Sequence, residues 1–237
     1  MTARTLVADN VTVRYGGVTA LEGASLRVEP GAIVGLIGPN GAGKTTLINA
    51  ITGVVRPSSG TIALGPSRLD RLPAHRVARA GIARTYQNVR LFARLDVADN
   101  VRAGAFARRG TLSDTEIVTL LERTGTLERD LHRRAGALPY GEQRRLEVAR
   151  ALAARPATLL LDEPAAGMNP AETIALGQTI ASVAANGVGI LLVEHDMSLV
   201  AAICTSVVVL NFGRVIATGS PQEIARDPAV IEAYLGT

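Results

Sequence analysis

Hydrophobic and polar residues alternate along the first part of the chain, over residues 6–15 and 24–29. Alternation with a period of two is typical of a strand with one buried face. The two segments therefore predict antiparallel strands joined through a turn at residues 15–17, which contains two glycines. Residues 60–64 predict another strand. We expect these strands to form a small N-terminal antiparallel β subdomain.

The middle of the chain, from about residue 72 to residue 152, has a mostly helical pattern. We expect its helices to be separated by loops at five glycines, which are Gly81, Gly104, Gly110, Gly125 and Gly136. Short, continuous hydrophobic runs lie on either side of this part, at 32–37, 157–161, 189–193 and 206–210. Such runs are typical of parallel strands buried on both faces, and helical segments such as 171–185 alternate with them.

This order of segments predicts an α/β fold with a parallel sheet that is interrupted by a helical insertion. We assign residues 5–236 to a single domain, with a core at about 5–86 and 156–236 and an insertion at about 87–155. The chain has 237 residues, of which 47% are hydrophobic, and this is enough material for such a core.

Three features of the sequence bear on where the protein works. No apolar run approaches the roughly 18 to 20 residues of a membrane span. The first residues contain no apolar region of the kind found in secretion signals. The single cysteine, Cys204, excludes an intrachain disulfide and suits a reducing compartment. We therefore expect a soluble, intracellular protein.

Positive charge is concentrated in the middle of the chain. The net charge is +4, but residues 71–155 alone contain 17 arginines and nine acidic residues. Nucleic acid is one anionic partner that would suit this segment. However, tryptophan is absent and aromatic residues make up 3% of the chain, so no platform for base stacking is evident. We expect a solvated helical face, or one near a membrane surface, and no nucleic-acid partner.

The only lysine, Lys44, lies in a glycine-rich run, and the other 24 basic residues are arginines. The run is Gly38-Pro39-Asn40-Gly41-Ala42-Gly43-Lys44-Thr45-Thr46. It fits the phosphate-binding pattern G-x-x-x-x-G-K-[ST] and lies between a predicted buried strand and a predicted helix start. The alternative is a glycine-rich structural turn, against which the complete motif in its strand–helix context argues.

Each part of this run has a physical reason to be there. Glycines let backbone N–H groups converge on phosphate oxygens, and the start of the helix adds partial positive charge. Lys44 is a compact ammonium that reaches the β- and γ-phosphates of a nucleotide, where an arginine fork would be too wide. The hydroxyl of Thr45 is placed to bind Mg²⁺. The sequence therefore predicts an ATP site with Mg²⁺.

A second candidate site follows the buried run at residues 157–161, where Asp162 and Glu163 stand side by side. Ligand sites of α/β proteins lie at the carboxyl ends of their strands. We expect Asp162 to hold Mg²⁺, directly or through water, and Glu163 to polarise the water that attacks the γ-phosphate. The alternative is that the two acids only begin a helix. The presence of the phosphate-binding loop in the same chain argues against it.

Residues 138–152 begin Leu-Pro-Tyr-Gly-Glu-Gln and predict a helix with Leu146, Ala149 and Leu152 on its buried face. In this segment the chain resembles the ATP-binding-cassette family, in which an L-S-G-G-Q signature opens a helix facing the nucleotide of a second subunit. The resemblance implies that Tyr140, Gly141 and Glu142 contact that nucleotide. It also implies a P-loop NTPase fold with a RecA-like sheet core, and it covers the chain from about residue 6 to residue 235.

The resemblance assigns roles to three further residues. It implies that Tyr15 stacks on adenine, that Gln87 senses Mg²⁺ and the attacking water, and that His195 contacts the γ-phosphate. Two positions depart from the family pattern. Pro139 replaces the serine of the signature and offers neither a hydroxyl nor an N–H, and Asn169 replaces an aspartate.

Four segments, at 84–92, 140–147, 163–170 and 228–236, are similar to the ATPase subunits of bacterial branched-chain amino acid importers, of the LivG type. The resemblance implies four partners: a second cassette ATPase, two membrane permease subunits and, indirectly, an extracytoplasmic solute-binding protein. It also implies a cytoplasmic location on the inner face of the membrane. The transported solute stays open, because similar subunits serve amides, urea or aromatic acids.

Two other classes of protein are alternatives to a transport ATPase. A cassette ATPase that acts on DNA or ribosomes would suit the arginine-rich insertion, but the chain has neither long heptad stretches nor a second cassette. A P-loop kinase would have no use for the signature segment.

We also expect residues 88–92 to form the groove that receives a permease helix. In this hypothesis Leu91 and Phe92 are apolar anchors, and Arg90 caps the incoming helix. The alternative is that Leu91 and Phe92 belong to the core of the insertion.

Overall fold

A computed structural model describes residues 4–106, 110–126 and 131–235, except for the side chain of Leu235. The end of the predicted domain, at residue 236, lies outside this described part. The strands are β1 (Leu6–Tyr15), β2 (Val18–Val28), β3 (Ile33–Ile37), β4 (Ser59–Leu64), β5 (Ser67–Arg68), β6 (Ile82–Arg84), β7 (Thr158–Asp162), β8 (Gly189–Val193), β9 (Ser206–Asn211) and β10 (Arg214–Gly219). The helices are α1 (Lys44–Ile51), α2 (Ala74–Ala80), α3 (Val97–Ala105), α4 (Asp114–Arg123), α5 (Tyr140–Ala153), α6 (Pro170–Ala185), α7 (Met197–Ile203), α8 (Pro221–Ile224) and α9 (Pro228–Leu235).

The alternating segments near the N-terminus form an antiparallel sheet of four strands in the order β2-β1-β4-β5, which confirms the predicted subdomain. β1 pairs with both β2 and β4, with Leu6 opposite Val28 and Leu64. Its alternate side chains are buried, as the pattern predicted. β2 begins earlier than the sequence indicated, because its first residues are exposed and carry little hydrophobic signal.

The continuous hydrophobic runs form a six-stranded sheet in the order β10-β9-β3-β8-β7-β6. The five strands from β9 to β6 are parallel, and β10 is antiparallel to β9. Every residue of β3, β7 and β8 is buried, because helices or the other sheet cover both faces. One hydrophobic core lies between the two sheets and includes α1, and a second lies between the six-stranded sheet and helices α5 and α6.

Helices α3, α4 and α5 form a third hydrophobic cluster of their own, which includes the predicted stripe residues Leu146 and Ala149. The sequence was wrong about Gly104, which lies within α3 and not in a loop. A Cβ at Gly104 would lie 1.9 Å from the carbonyl oxygen of Arg150, so glycine is what lets α3 cross α5 closely.

Two strands of the six-stranded sheet were not predicted. β6 has three residues, too few for a period to be visible, and it pairs with β7, whose partner residues follow some 75 positions later. β10 is only partly buried, so its hydrophobic signal is weak. Their place in the sheet depends on pairing between distant segments, which no local pattern records.

Asp70 supports the antiparallel sheet through a partly buried ion pair. Its carboxylate accepts hydrogen bonds from Arg68 at 2.8 and 3.0 Å and from the N–H of Ile62 at 3.3 Å. These bonds, above all those from Arg68, lower the pKa of Asp70 to about 2. A carboxylate with a lowered pKa stabilises the folded state above its unfolded pKa, and that stabilisation is lost as the pH falls through the folded pKa.

We therefore expect Asp70→Asn to lower the free energy of unfolding by about 2 kcal/mol near neutral pH. The difference from the unaltered protein should shrink as the pH falls from about 4 to about 2, since Asp70 becomes protonated first in the unfolded state and then in the folded state. Urea unfolding at several pH values would measure it, with Asp9→Asn, at an exposed position in the same sheet, as control. A difference that does not change with pH would contradict the assignment.

Candidate functional site

The glycine-rich loop between β3 and α1 is shaped by its contacts with the rest of the core. Gly38 has a φ of 148°, and a Cβ there would lie 2.1 Å from the carbonyl oxygen of Leu210. Gly43, with a φ of 106°, would place a Cβ 2.9 Å from the carbonyl oxygen of Ala20. Both positions require glycine, because any side chain would strike the backbone of a neighbouring strand.

Lys44 points into this loop. Its ammonium donates hydrogen bonds to the carbonyl oxygens of Gly38, at 2.5 Å, and Pro39, at 2.9 Å. The residue is 7% exposed, and burial lowers the pKa of the Lys44 ammonium, although the nearby carboxylates of Glu163 and Asp162 act in the opposite direction. The loop therefore holds a single positive charge at the position where the sequence predicts phosphate oxygens.

A cavity of about 480 Å³ opens beside the loop. Its wall includes the loop residues Asn40, Gly41, Ala42, Gly43, Lys44, Thr45 and Thr46. Glu163, Phe212, Gly213 and the start of β2, from Val18 to Ala20, complete the described wall. Tyr15 is half-exposed and pairs across the β1–β2 turn with Val18, which lies in this wall.

Glu163 brings the three predicted catalytic residues together. Its carboxylate accepts a hydrogen bond from the Nε2 atom of Gln87 at 2.6 Å, and the Nε2 atom of His195 lies 2.7 Å from its other oxygen. Glu163 has a φ of 47°, in the left-handed region, and its N–H donates to the carbonyl oxygen of Val193 at 2.9 Å. A carboxylate in this position can accept a proton from a water molecule in the cavity.

Asp162 is buried at the end of β7, and one of its oxygens accepts a hydrogen bond from Arg84 at 2.7 Å. Arg84 also donates to the side chain of Asn49 on α1, at 2.7 Å, and so joins Asp162 to the helix that follows the loop. Arg84 was not predicted as part of the site, because it lies in the unpredicted strand β6 among many other arginines.

The residues proposed for Mg²⁺ have suitable chemistry. Thr45, Asp162 and Gln87 offer a hydroxyl, a carboxylate and an amide oxygen, which are ligands that Mg²⁺ prefers. The described residues contain no group of three or more histidine, cysteine or acidic side chains that could hold a metal ion by themselves. In nucleotide sites Mg²⁺ is commonly held by one or two carboxylates together with substrate phosphates.

Glu194, directly before His195, is a buried acid that the sequence analysis also missed. Its carboxylate accepts hydrogen bonds from the N–H groups of Ala165, at 2.9 Å, and His195, at 3.1 Å. Burial raises the pKa of Glu194. The side chain fixes the segment after Glu163 to the segment that carries His195. An acid at the end of a buried strand was the signal that could have identified it.

Comparison with known proteins identifies the family of the chain. Residues 21–166 match the sequence model of the family described as "ABC transporter", and residues 214–237 match one described as "Branched-chain amino acid ATP-binding cassette transporter". The chain belongs to the ABC transporter family. It is a P-loop ATPase, as predicted, and the alternative of a cassette acting on DNA or ribosomes is not supported.

Two relatives and one solved structure illustrate the similarity. The cassette is 42% identical to the high-affinity branched-chain amino acid transport ATP-binding protein BraF of Pseudomonas aeruginosa and 42% identical to LivG of Escherichia coli strain K12. Each match covers 98% of this chain and 97% of the relative. The structure of the ATP-binding cassette MJ1267 in its ADP conformation matches with a TM-score of 0.87, at 28% identity over 99% of both chains.

The signature residues of the cassette do not line the cavity described above. The hydroxyl of Tyr140 donates to the carbonyl oxygen of Ala166 at 3.0 Å. Gly141 packs so closely against Glu172 of α6 that a Cβ would lie 2.9 Å from its carboxylate. Glu142 is in the first turn of α5, after Pro139. These contacts are within one chain, and the predicted contact with a second subunit's nucleotide stays a prediction.

We expect Lys44→Arg to weaken ATP binding by about tenfold or more, although it keeps the charge. The longer planar guanidinium does not fit the slot between the loop carbonyls, so at least one charge-assisted hydrogen bond to phosphate is lost. Titration of a fluorescent ATP analogue would measure the affinity, and thermal unfolding would show whether the variant folds. Equal affinity in the two proteins would contradict the role given to Lys44.

Proposed function

We propose that this cassette is the ATP-hydrolysing subunit of a bacterial importer for branched-chain or related hydrophobic amino acids. The cluster formed by Glu163 with Gln87 and His195, beside the lysine of the phosphate-binding loop, supports the hydrolysis step. The match of residues 214–237 to the branched-chain amino acid cassette family, together with BraF and LivG as relatives, supports the solute class.

In this proposal the cavity positions the nucleotide between Tyr15 and Lys44. The ring of Tyr15 stacks on adenine, backbone N–H groups of the loop bind phosphate oxygens, and the Lys44 ammonium exchanges its carbonyl partners for the β- and γ-phosphates. Thr45, Asp162 and Gln87 would hold Mg²⁺, which would supply charge neutralisation at the phosphates when bound. Binding therefore replaces contacts that the loop makes to itself.

Hydrolysis is proposed to start at Glu163, whose carboxylate takes a proton from the attacking water. Gln87 orients that water, and His195, on the other side of the carboxylate, contacts the γ-phosphate. Both residues bond Glu163 directly, so each one also holds the base in position. The positive φ of Glu163 is a strained conformation, which is common where a side chain must be aimed at a substrate.

A second cassette subunit, identical or related, is proposed to complete the site. Tyr140, Gly141 and Glu142 lie outside the cavity of their own chain, and the N-terminus of α5 offers backbone N–H groups to a phosphate. Pro139 lacks an N–H, so one of the usual donors is missing at the start of this helix. This chain thus offers fewer hydrogen-bond donors to its partner's nucleotide than a signature with serine at this position would offer.

One of the two permease subunits is proposed to dock a helix on a groove of about 390 Å³ between α2, β6 and the helical insertion. Phe92 lies in its wall and is 52% exposed, with the guanidinium of Arg150 5.6 Å from its ring centre. Leu91 instead packs against the hydrophobic cluster of the insertion, so the alternative stated for it was correct. Arg90 is stacked on Tyr86, 4.1 Å from the ring centre, beside the groove.

The proposed location is the inner face of the cytoplasmic membrane. Within the described ranges, no helix is long and apolar enough to cross a bilayer. Attachment would therefore come through the permease subunits, and contact with an extracytoplasmic solute-binding protein would be indirect. The arginine-rich insertion, next to the groove, suits a place close to an anionic membrane surface.

We expect Glu163→Gln to bind MgATP with little change in affinity but to hydrolyse it about 10² to 10⁴ times more slowly, because glutamine keeps the shape and loses the base. Single-turnover hydrolysis and nucleotide titration would separate the two effects. Glu232→Gln, at an exposed position on α9, is the control. Normal hydrolysis by the Glu163 variant would mean that another group is the base.

Phe92→Ala should lower association with the permease subunits and transport by the assembled complex about tenfold or more, since a buried aromatic anchor contributes 2 kcal/mol or more at many interfaces. Phe106→Ala removes a more exposed phenyl ring outside the groove and should have little effect. Co-purification and uptake of a labelled amino acid into vesicles would measure the two properties. Full transport by the Phe92 variant would remove this groove from the docking site.

A further inference from the structure

Gln87 is bound at both ends, by different parts of the cassette. Its side chain donates to Glu163 in the core. Its backbone carbonyl accepts a hydrogen bond from the guanidinium of Arg144, which also donates to the preceding carbonyl, of Tyr86, at 2.7 Å. Arg144 belongs to α5, the helix that the signature opens. The residue next to the catalytic carboxylate is thus joined to the signature helix.

Arg144 is the largest of the fully buried side chains in the described part of the chain, with 2% of the side chain exposed. Glu147, one turn later on the same face of α5, pairs with it at 3.2 Å and is equally buried. Glu147 also accepts a hydrogen bond from the N–H of Arg90 at 3.1 Å. The two side chains therefore hold the backbone of residues 86–90 at both ends of that segment.

A buried ion pair is a costly way to pack two segments, because both charges lose their hydration. Hydrophobic side chains would hold α5 against residues 86–90 at lower cost. The arginine fixes the relative orientation of the two segments, because its rigid fork bonds two successive carbonyl oxygens in only one arrangement. A contact of this kind transmits a displacement, whereas a hydrophobic contact allows the surfaces to slide.

The signature is close to this contact. Tyr140 precedes Arg144 by one helical turn, a rise of about 6 Å, and the Arg144 guanidinium lies 5.5 Å from the centre of the Tyr140 ring. We propose that Arg144, supported by Glu147, is a positioning residue that couples Gln87 to the signature helix. A shift of Gln87 when nucleotide binds in this subunit then moves Tyr140, Gly141 and Glu142, which are proposed to contact the second subunit's nucleotide.

This inference rests on the proposed function, and hydrogen exchange tests it separately. The full-length chain is kept monomeric, as checked by light scattering, so that no second nucleotide touches the signature. On adding MgATP we expect exchange to change both in residues 84–92 and in residues 138–146. Arg144→Lys keeps the charge but loses the fork. In this variant the change of exchange in residues 84–92 should persist, and the change in residues 138–146 should fall about tenfold or more.

Arg102→Lys is the matched control, because Arg102 also bonds two acceptors, Asp99 and Asp114, within the helical insertion. It should keep both responses. Glu147→Gln provides a second variant, which keeps an acceptor for the N–H of Arg90 but removes the charge partner of Arg144. It should also weaken the response at the signature, and it keeps the test decisive if Arg144→Lys folds poorly.

The outcomes are distinct. If the unaltered chain does not bind ATP, the proposed function fails. If ATP binds and changes exchange near Gln87 but not at the signature, or if both Arg144→Lys and Glu147→Gln keep the signature response, the coupling is overturned. Loss of both responses together with weaker ATP binding would assign Arg144 a purely structural role, which would also overturn it.

Discussion

The hydrogen bonds of Glu163 hold the site together. Its N–H is bound by Val193 of β8, and its carboxylate contacts Gln87 on one side and His195 on the other. These partners come from segments that are separated by about half of the chain. The left-handed backbone of Glu163 costs of order 1 kcal/mol or more, and the pairing of β7 with β8 is what keeps it in place. The geometry of the proposed base therefore depends on the sheet.

A similar constraint shapes the phosphate-binding loop. Gly38 lies against the backbone of β9, and Gly43 lies against the backbone of β2, so strands of both sheets press on the loop. Lys44 is then held by carbonyl oxygens of the loop itself. In the proposed mode of binding, the same ammonium would exchange these carbonyl oxygens for phosphate oxygens of the nucleotide.

Arginines join separate segments of the cassette, in a chain that has a single lysine. Arg84 bridges Asp162 and Asn49, and Arg144 bridges the carbonyls of Tyr86 and Gln87. In each case a planar fork joins two acceptors from separate positions, which an ammonium on a flexible stem would do less rigidly. The one lysine lies where a compact charge is needed. The choice of cation thus follows the geometry of the acceptors.

The sequence by itself determined the elements whose signal is local. Alternation predicted β1, continuous hydrophobic runs predicted the parallel strands, and the spacing of Gly38, Gly43 and Lys44 predicted the nucleotide site. The tertiary structure decided what depends on contacts between distant segments. These are the pairing of β6 with β7, the close crossing of α3 and α5 at Gly104, and the burial of Arg84, Arg144 and Glu194. A charged residue looks the same in the sequence whether it is solvated or buried, because only the fold brings its partner within hydrogen-bonding distance.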